Sequence, residues 1–334
     1  MISRHRRGLA ARGGLCVLLA LLGACSLFQH KKAAPGPRQT ATFNIADEQL
    51  PPPLTVIAYG DMRFTDPANT TATNPWARQA LVSRIAEERP DAVFLDGDVP
   101  YIGGEPKDYA EYHKETAPWR DAGLRVYPAL GNHEFKNCEE VDCLENWWTE
   151  FPDLREHRWY SVQLGRGFYA IGLDSDAPLT PESEQLQWLQ DQLALMPSTV
   201  RFVLIWMHHP PVTNPQDKDQ PRDNEIALRD FLQAQAPKSR ARFLVVAAHI
   251  HNYERFQQPG PVTYLVSGGG GAKPTPVVRG PDDLFQGNDF PNYHYIKLTL
   301  EGGILHGTMY RLDPQSTTTP SWTAADQFEI HAAY

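Results

Sequence analysis

A mixed α/β sandwich is the fold class this sequence predicts, on three observations. From Leu54 onward, short apolar segments alternate with amphipathic helical segments. Apolar strands then continue after the last helix, which argues against a purely parallel sheet. The side chains able to do chemistry stand just after the apolar strands, where α/β proteins bind their ligands.

The elements follow in order. LTVIAYG (54–60) is a strand running into a turn. Asn74 and Pro75 offer a helix start, Ala77, Leu81 and Ile85 share one face, and Pro90 ends the helix. AVFL (92–95) and RVYPAL (125–130) are strands. Thr180 and Pro181 open a second helix with Leu186, Leu189 and Leu193 on its buried stripe. The strands RFVLIW (201–206) and RFLVV (242–246) flank a helix around Leu228, Phe231 and Leu232. VTYLVS (262–267) and a hairpin, YIKLTL-EGG-ILHGTMY (295–310), close a domain predicted over 54–312. Residues 313–334 are expected as a tail packed on it.

The chain has 334 residues, 41% of them hydrophobic, and a formal charge of -9, so no nucleic-acid-binding surface is expected. Its start is different. Arg4, Arg6, Arg7 and Arg12 precede the apolar run LCVLLALLGA, which is too short to span a bilayer as a mature helix and reads as an export signal over 1–24. Leu22, Gly23, Ala24 and Cys25 resemble the lipobox of bacterial lipoproteins. That resemblance implies cleavage before Cys25, lipid on its thiol as the link to a membrane, and a domain in the periplasm or outside the cell. Residues 25–53 are polar and proline-bearing and read as a flexible tether. Of the four cysteines only Cys138 and Cys143 then remain, and an isolated pair in an exported chain is expected to form a short disulfide loop.

Five motifs carry the chemistry: YGDMR (59–63), LDGDVPY (95–101), LGNHE (130–134), WMHHPP (206–211) and AHIHNYER (248–255). Together they supply carboxylates, an amide, a phenol and several imidazoles, a mixture that suits a pair of hard-to-borderline metal ions. Glycines before Asp61, Asp98 and Asn132 allow tight turns. In an extended chain His249 and His251 would point to one side. Asp96 is a decoy two residues before Asp98, and SGGGGAK (267–273) lacks the residues of a phosphate loop and reads as a permissive turn.

In this order the motifs resemble the calcineurin-like metallophosphoesterase superfamily, and GDVPY with HIHNYER is most similar to its purple acid phosphatase branch. The resemblance covers roughly residues 54–312 and implies a four-layer αββα sandwich with mixed sheets. It implies that Asp61, Asp98, Tyr101 and His251 hold one metal, and that Asn132, His208 and His249 hold a second, with Asp98 bridging. His133 would be an acid near the leaving oxygen, with Glu134 its orienting neighbour. Two departures stand out. Ala248 replaces a usual glycine, and Arg63 stands where the branch has glycine and other members a histidine. A permanently charged planar fork suits phosphate, so Arg63 is a substrate-binding candidate, with a surface acid as its alternative partner. His209 either reaches substrate or is structural.

The implied reaction is hydrolysis of a small phosphorylated substrate, a monoester first, by hydroxide held on two ions. A diester or nucleotide is the alternative, and a non-catalytic cell-envelope binding protein the alternative of another class. An unperturbed tyrosine loses its proton near pH 10, so a Tyr101 phenolate calls for a strongly polarising ion. The expected cofactor is therefore Fe(III) with a divalent Zn, Mn or Fe. The sequence leaves the oligomeric state open.

Overall fold

The computed structural model describes residues 41–216, 219–287, 290–316 and 318–333. The predicted export signal, Cys25 and the first part of the tether lie outside them. In chain order the elements are β1 (Phe43–Ile45), β2 (Leu54–Tyr59), α1 (Pro75–Glu88), β3 (Ala92–Leu95), α2 (Pro106–Glu115), α3 (Ala117–Asp121), β4 (Val126–Pro128), α4 (Glu140–Glu150), β5 (Tyr160–Leu164), β6 (Phe168–Gly172), α5 (Glu184–Leu195), β7 (Phe202–Met207), α6 (Asp223–Gln235), β8 (Arg242–Ala247), β9 (Tyr253–Gln258), β10 (Val262–Ser267), β11 (His294–Glu301), β12 (Ile304–Leu312) and β13 (Trp322–His331).

These strands form two mixed sheets. One has the order β1-β5-β6-β7-β8-β10-β9, the other β13-β12-β11-β2-β3-β4. In the first, β6, β7, β8 and β10 run parallel; in the second, β2, β3 and β4 do. Parallel strands buried on both faces read as continuous apolar runs, as FVLIWM and AVFL do. Alternate residues therefore enter different cores. Val56, Ala58 and Phe94 meet Leu204, Trp206 and Val246 between the sheets. Ile57, Tyr59 and Leu95 face Leu81 and Ile85 of α1, while Ile205 and Val245 face Leu189 of α5 and Leu228 of α6. Helices cover both outer faces, which completes the four layers.

Local chemistry sets the helix ends. The Asn74 side chain accepts a hydrogen bond from the Ala77 N–H (3.2 Å), and Pro75 occupies the first turn of α1. The chain leaves α1 through Arg89 in the left-handed region (φ 47°), so the helix ends before Pro90 acts. For α5 the cap is Ser183, which accepts from Leu186 N–H, so the helix begins at Glu184 rather than at Thr180 and Pro181.

Two boundaries differ from the sequence expectation. The tether was expected through residue 53, yet Phe43–Ile45 pair in parallel with Val162–Leu164, and Phe43 packs against Tyr127 and Tyr160, both at 5.8 Å between centroids. The segment expected as a tail after 312 contains β13, which pairs with β12 along its whole length and belongs to the sheet.

Candidate metal centre

Six strands deliver the site. Asp61 follows β2, Asp98 follows β3, Asn132 and His133 follow β4, Ser175 follows β6, His208 follows β7 directly, and His249 and His251 follow β8. Asp61 (φ 62°), Arg63 (φ 51°), Asp98 (φ 55°) and His249 (φ 68°) all take left-handed backbone. Such strain costs about 1–3 kcal/mol per residue and collects at functional sites. Hydrogen bonds between loops hold it: Asp61 N–H to Gly97 O (3.2 Å), Arg63 N–H to Asp98 O (2.9 Å), Ala248 N–H to His208 O (2.9 Å). His249 and His251 thus lie on a bent chain, not the extended one that would put them on one side. Ala248 itself is outside the left-handed region, so the missing glycine carries no backbone strain.

The side chains converge in two groups. In the first, His208 Nε2 lies 3.0 Å from Asn132 Oδ1 and 3.2 Å from Asp98 Oδ1. His249 Nδ1 lies 3.2 Å from both Asn132 Oδ1 and His208 Nε2. His208 Nδ1–H donates to the Asp96 carbonyl (3.0 Å), which leaves Nε2 as the free lone pair. In the second group His251 Nε2 lies 3.4 Å from Asp61 Oδ1, while its Nδ1–H donates to the Lys273 carbonyl (2.6 Å). Asp61, Asp98 and His208 each offer a ligand atom within 4.8 Å of the others, so Asp98 and His208 join the two groups.

Around them stand the remaining candidates. His133 donates Nδ1–H to Tyr101 O (2.5 Å), its backbone N–H donates to Asp98 Oδ1 (2.9 Å), and its Nε2 lies 3.8 Å from Asp98 Oδ2. Burial, reinforced by the Arg63 charge, lowers the His133 pKa to about 4. The Tyr101 ring lies 5.5 Å from that of His133, and its phenol makes no hydrogen bond among the described residues. The acid that Arg63 meets is not on the surface: its Nε (3.2 Å) and Nη2 (3.0 Å) both sit on Oδ2 of buried Asp98. Burial pushes the Asp98 carboxyl up, but the fields of His208, His133 and Arg63 overcome it and hold the group below the ordinary carboxylate range. His209 Nδ1 is 2.9 Å from Ser175 Oγ, and its ring lies 4.2 Å from that of His249 beside a cavity lined also by Pro221 and Arg222. Cys138 and Cys143 are joined by a disulfide.

Residues 54–268, more than half of the chain, match the family model described as calcineurin-like phosphoesterase. The chain belongs to the calcineurin-like phosphoesterase family. Among curated proteins it is 24% identical over 275 residues to the probable purple acid phosphatase 20 of Arabidopsis thaliana, over 76% of this chain and 60% of the plant protein. The chain therefore spans about three fifths of that relative's length. Solved structures share the fold at low identity. A purple acid phosphatase from yellow lupin (Lupinus luteus) seeds superposes with a TM-score of 0.62 at 18% identity, over 84% of this chain and 54% of the lupin one. A dimetal phosphatase from Danio rerio gives 0.58 at 16%, over 84% and 100%. The anchor in the inner membrane complex of Plasmodium gives 0.61 at 11%, over 84% and 89%.

The donor set of this calcineurin-like phosphoesterase fits cations on its own chemistry. Both oxygens of fully buried Asp61, and Nε2 of His251, lack any hydrogen-bond partner among the described residues. A buried carboxylate in that condition is expensive without a cation. His208 Nε2 and His249 Nδ1 are held 3.2 Å apart, each close to the Asn132 amide oxygen. Residue types match oxygen-and-imidazole coordination.

Two supporting residues lie beyond the sequence expectations. Glu134 does not orient His133. Its fully buried carboxylate accepts Asp98 N–H (3.1 Å), Val99 N–H (2.8 Å) and Gly131 N–H (2.7 Å), tying the loop after β3 to the loop after β4. Ser175, which fixes His209, follows apolar β6 just as the other site residues follow their strands, and that signal is present in FYAIGLDS.

Proposed function

We propose that this chain hydrolyses phosphate esters at a two-metal centre, with small phosphomonoesters as its substrates. The observation that carries the reading is the orphaned Asp61 carboxylate facing His251, next to the convergent His208, Asn132 and His249. Asp61, His251, Tyr101 and Asp98 would hold one ion; Asn132, His208 and His249, sharing Asp98, the other. When bound, the ions make water reactive near neutral pH and neutralise charge on the phosphoryl oxygens. The protein's own groups do the rest. Glu134 and the paired loops fix Asp98 and Asn132, the Nδ1 contacts of His208 and His251 set which nitrogen faces inward, and His133, oriented through Nδ1–H to Tyr101 O, would give the leaving oxygen a proton from Nε2 in its imidazolium form, the form that bound anionic phosphate favours.

The identity of the ions follows from Tyr101. As a phenolate ligand it would call for Fe(III) beside a divalent Zn, Mn or Fe, and would give the pure protein a visible charge-transfer band. The leader sequence supports export and lipid attachment at Cys25, with the enzyme held at the cell envelope. The test is a panel of phosphomonoesters, diesters and nucleotides assayed with metal content measured on the same preparation. Hydrolysis of monoesters with about two ions per chain is expected. His133→Ala should lower turnover while metal content stays. Activity that survives complete removal of metal would defeat the proposal.

A further inference from the structure

Arg63 is one of the two residues by which this chain departs from the pattern its motifs resemble, and its geometry assigns it work. Its backbone is held at both peptide groups. The N–H donates to Asp98 O (2.9 Å), and the C=O accepts from Nη1 of Arg78 (3.2 Å). Arg78 is fully buried and fixed in turn by Glu115 at 2.8 and 2.5 Å. The side chain is therefore aimed by the fold. One edge of the guanidinium, Nε and Nη2, rests on Asp98 Oδ2. Asp98 Oδ1 is the oxygen turned to His208. Nη1 and the second Nη2 hydrogen have no partner among the described residues, the side chain is 15% exposed, and Asp98 Oδ2, on which the other edge rests, lies 3.8 Å from His133 Nε2, so the guanidinium and His133 flank the same carboxylate oxygen with donor capacity left over on the free edge.

Charge gives that edge a purpose. The guanidinium makes the charge around the donor set one unit more positive than glycine at position 63 would leave it, whichever ions bind. A phosphomonoester is close to doubly charged near neutral pH and a diester singly charged, so one extra fixed cation favours the monoester by its second charge. We propose that Arg63 is a specificity-determining residue: Asp98 holds one edge of its guanidinium while the free edge binds a phosphoryl oxygen and selects dianionic monoesters over diesters. The assignment rests on the phosphoesterase reading and deepens it.

The experiment compares metal-loaded wild type, Arg63→Ala and Arg63→Lys, with metal content measured for each. Two readouts are taken: kcat/KM for an aryl phosphomonoester and the matching diaryl diester, and the Kd of inorganic phosphate by calorimetry. A charge-assisted hydrogen bond predicts that Arg63→Ala lowers the monoester-to-diester ratio, and weakens phosphate, by about 10- to 100-fold at unchanged metal content. Arg63→Lys should restore part of both, because it keeps the charge without the fork. Equal loss on both esters, or loss of metal, would show Arg63 serving Asp98 alone and overturn the proposal. If wild type hydrolyses neither ester the phosphoesterase reading falls, and the phosphate titration still decides Arg63: equal affinity in wild type and Arg63→Ala overturns the assignment.

Discussion

Glu134 shows how one carboxylate can set a site it does not enter. Three backbone N–H groups from two loops end on its oxygens, and burial together with Asp98 pushes its pKa up against them. Glu134→Gln keeps the shape but turns an NH2 toward at least one N–H. The cost of one buried unsatisfied donor is about 1–3 kcal/mol. Urea unfolding of the metal-free chain should show that loss, and calorimetry should show weaker metal uptake; an unchanged midpoint and affinity would refute the role. His294 gives a pH prediction. It is fully buried, donates Nδ1–H to Asn292 O (3.0 Å), meets Ser267 Oγ through Nε2 (3.2 Å), and burial lowers its pKa to about 4. Between an ordinary 6.5 and that value, the unfolded chain takes the proton and the folded chain does not. The stability is full above 6.5 and is lost as pH falls through about 4, a loss of about 3 kcal/mol. His294→Gln cannot titrate, so wild type should lose its advantage over that variant by this amount between pH 7 and pH 4. The candidate metal donors are legible in the sequence because each is a polar side chain within a few residues after an apolar strand. The contacts of Glu134 and Arg63 are not, since they depend on which loops the fold brings side by side.

At the scale of elements, the meeting of the two sheets depends on a missing methyl group. A Cβ on Gly60, after β2, would lie 2.4 Å from the Cβ of Ala248, after β8. Glycine at 60 is what lets alanine stand at 248, where the family pattern has glycine. Gly60→Ala should therefore overpack the junction and destabilise by about 1–3 kcal/mol, and Ala248→Gly in the same chain should restore most of it. A double-mutant cycle in urea tests this; strictly additive effects would mean that the two residues do not meet. The same scale explains which elements the sequence hides. Strands β2, β3, β7, β8 and β10 are long or fully apolar and read directly. Strand β1 has three residues and its identity comes from packing Phe43 on Tyr127 and Tyr160. Strand β13, WTAADQFEIH, is polar on one side because it is the outer strand of its sheet, with Phe328 and Ile330 turned toward the core. Helix α4 carries two adjacent tryptophans and four acids, which blur its helical stripe.

Across the whole molecule the candidate site lies on the seam between the sheets. Asp61, Asp98 and Asn132 come from the six-stranded sheet, and His208, His249 and His251 from the seven-stranded one. Backbone hydrogen bonds cross the same seam, from Gly60 N–H to Ser267 O (2.9 Å) and from Gly270 N–H to Gly60 O (2.9 Å). Ions bound there would cross-link the two layers, so binding should stabilise the fold and not only the site. An ion at 100 times its Kd adds about 2.7 kcal/mol, or about 4–5 °C in Tm for a domain of this size. Asp61→Asn makes this prediction sharper because its two effects have opposite signs. In chelator the variant should be more stable than wild type, since a neutral amide replaces a buried carboxylate with two orphaned oxygens. With metal it should gain less than wild type, because the same change removes a charged donor. Thermal melts of both proteins with chelator and with added Zn, Mn or Fe decide the matter. A variant less stable than wild type in chelator and equally stabilised by metal would mean that Asp61 serves the fold and not a cation.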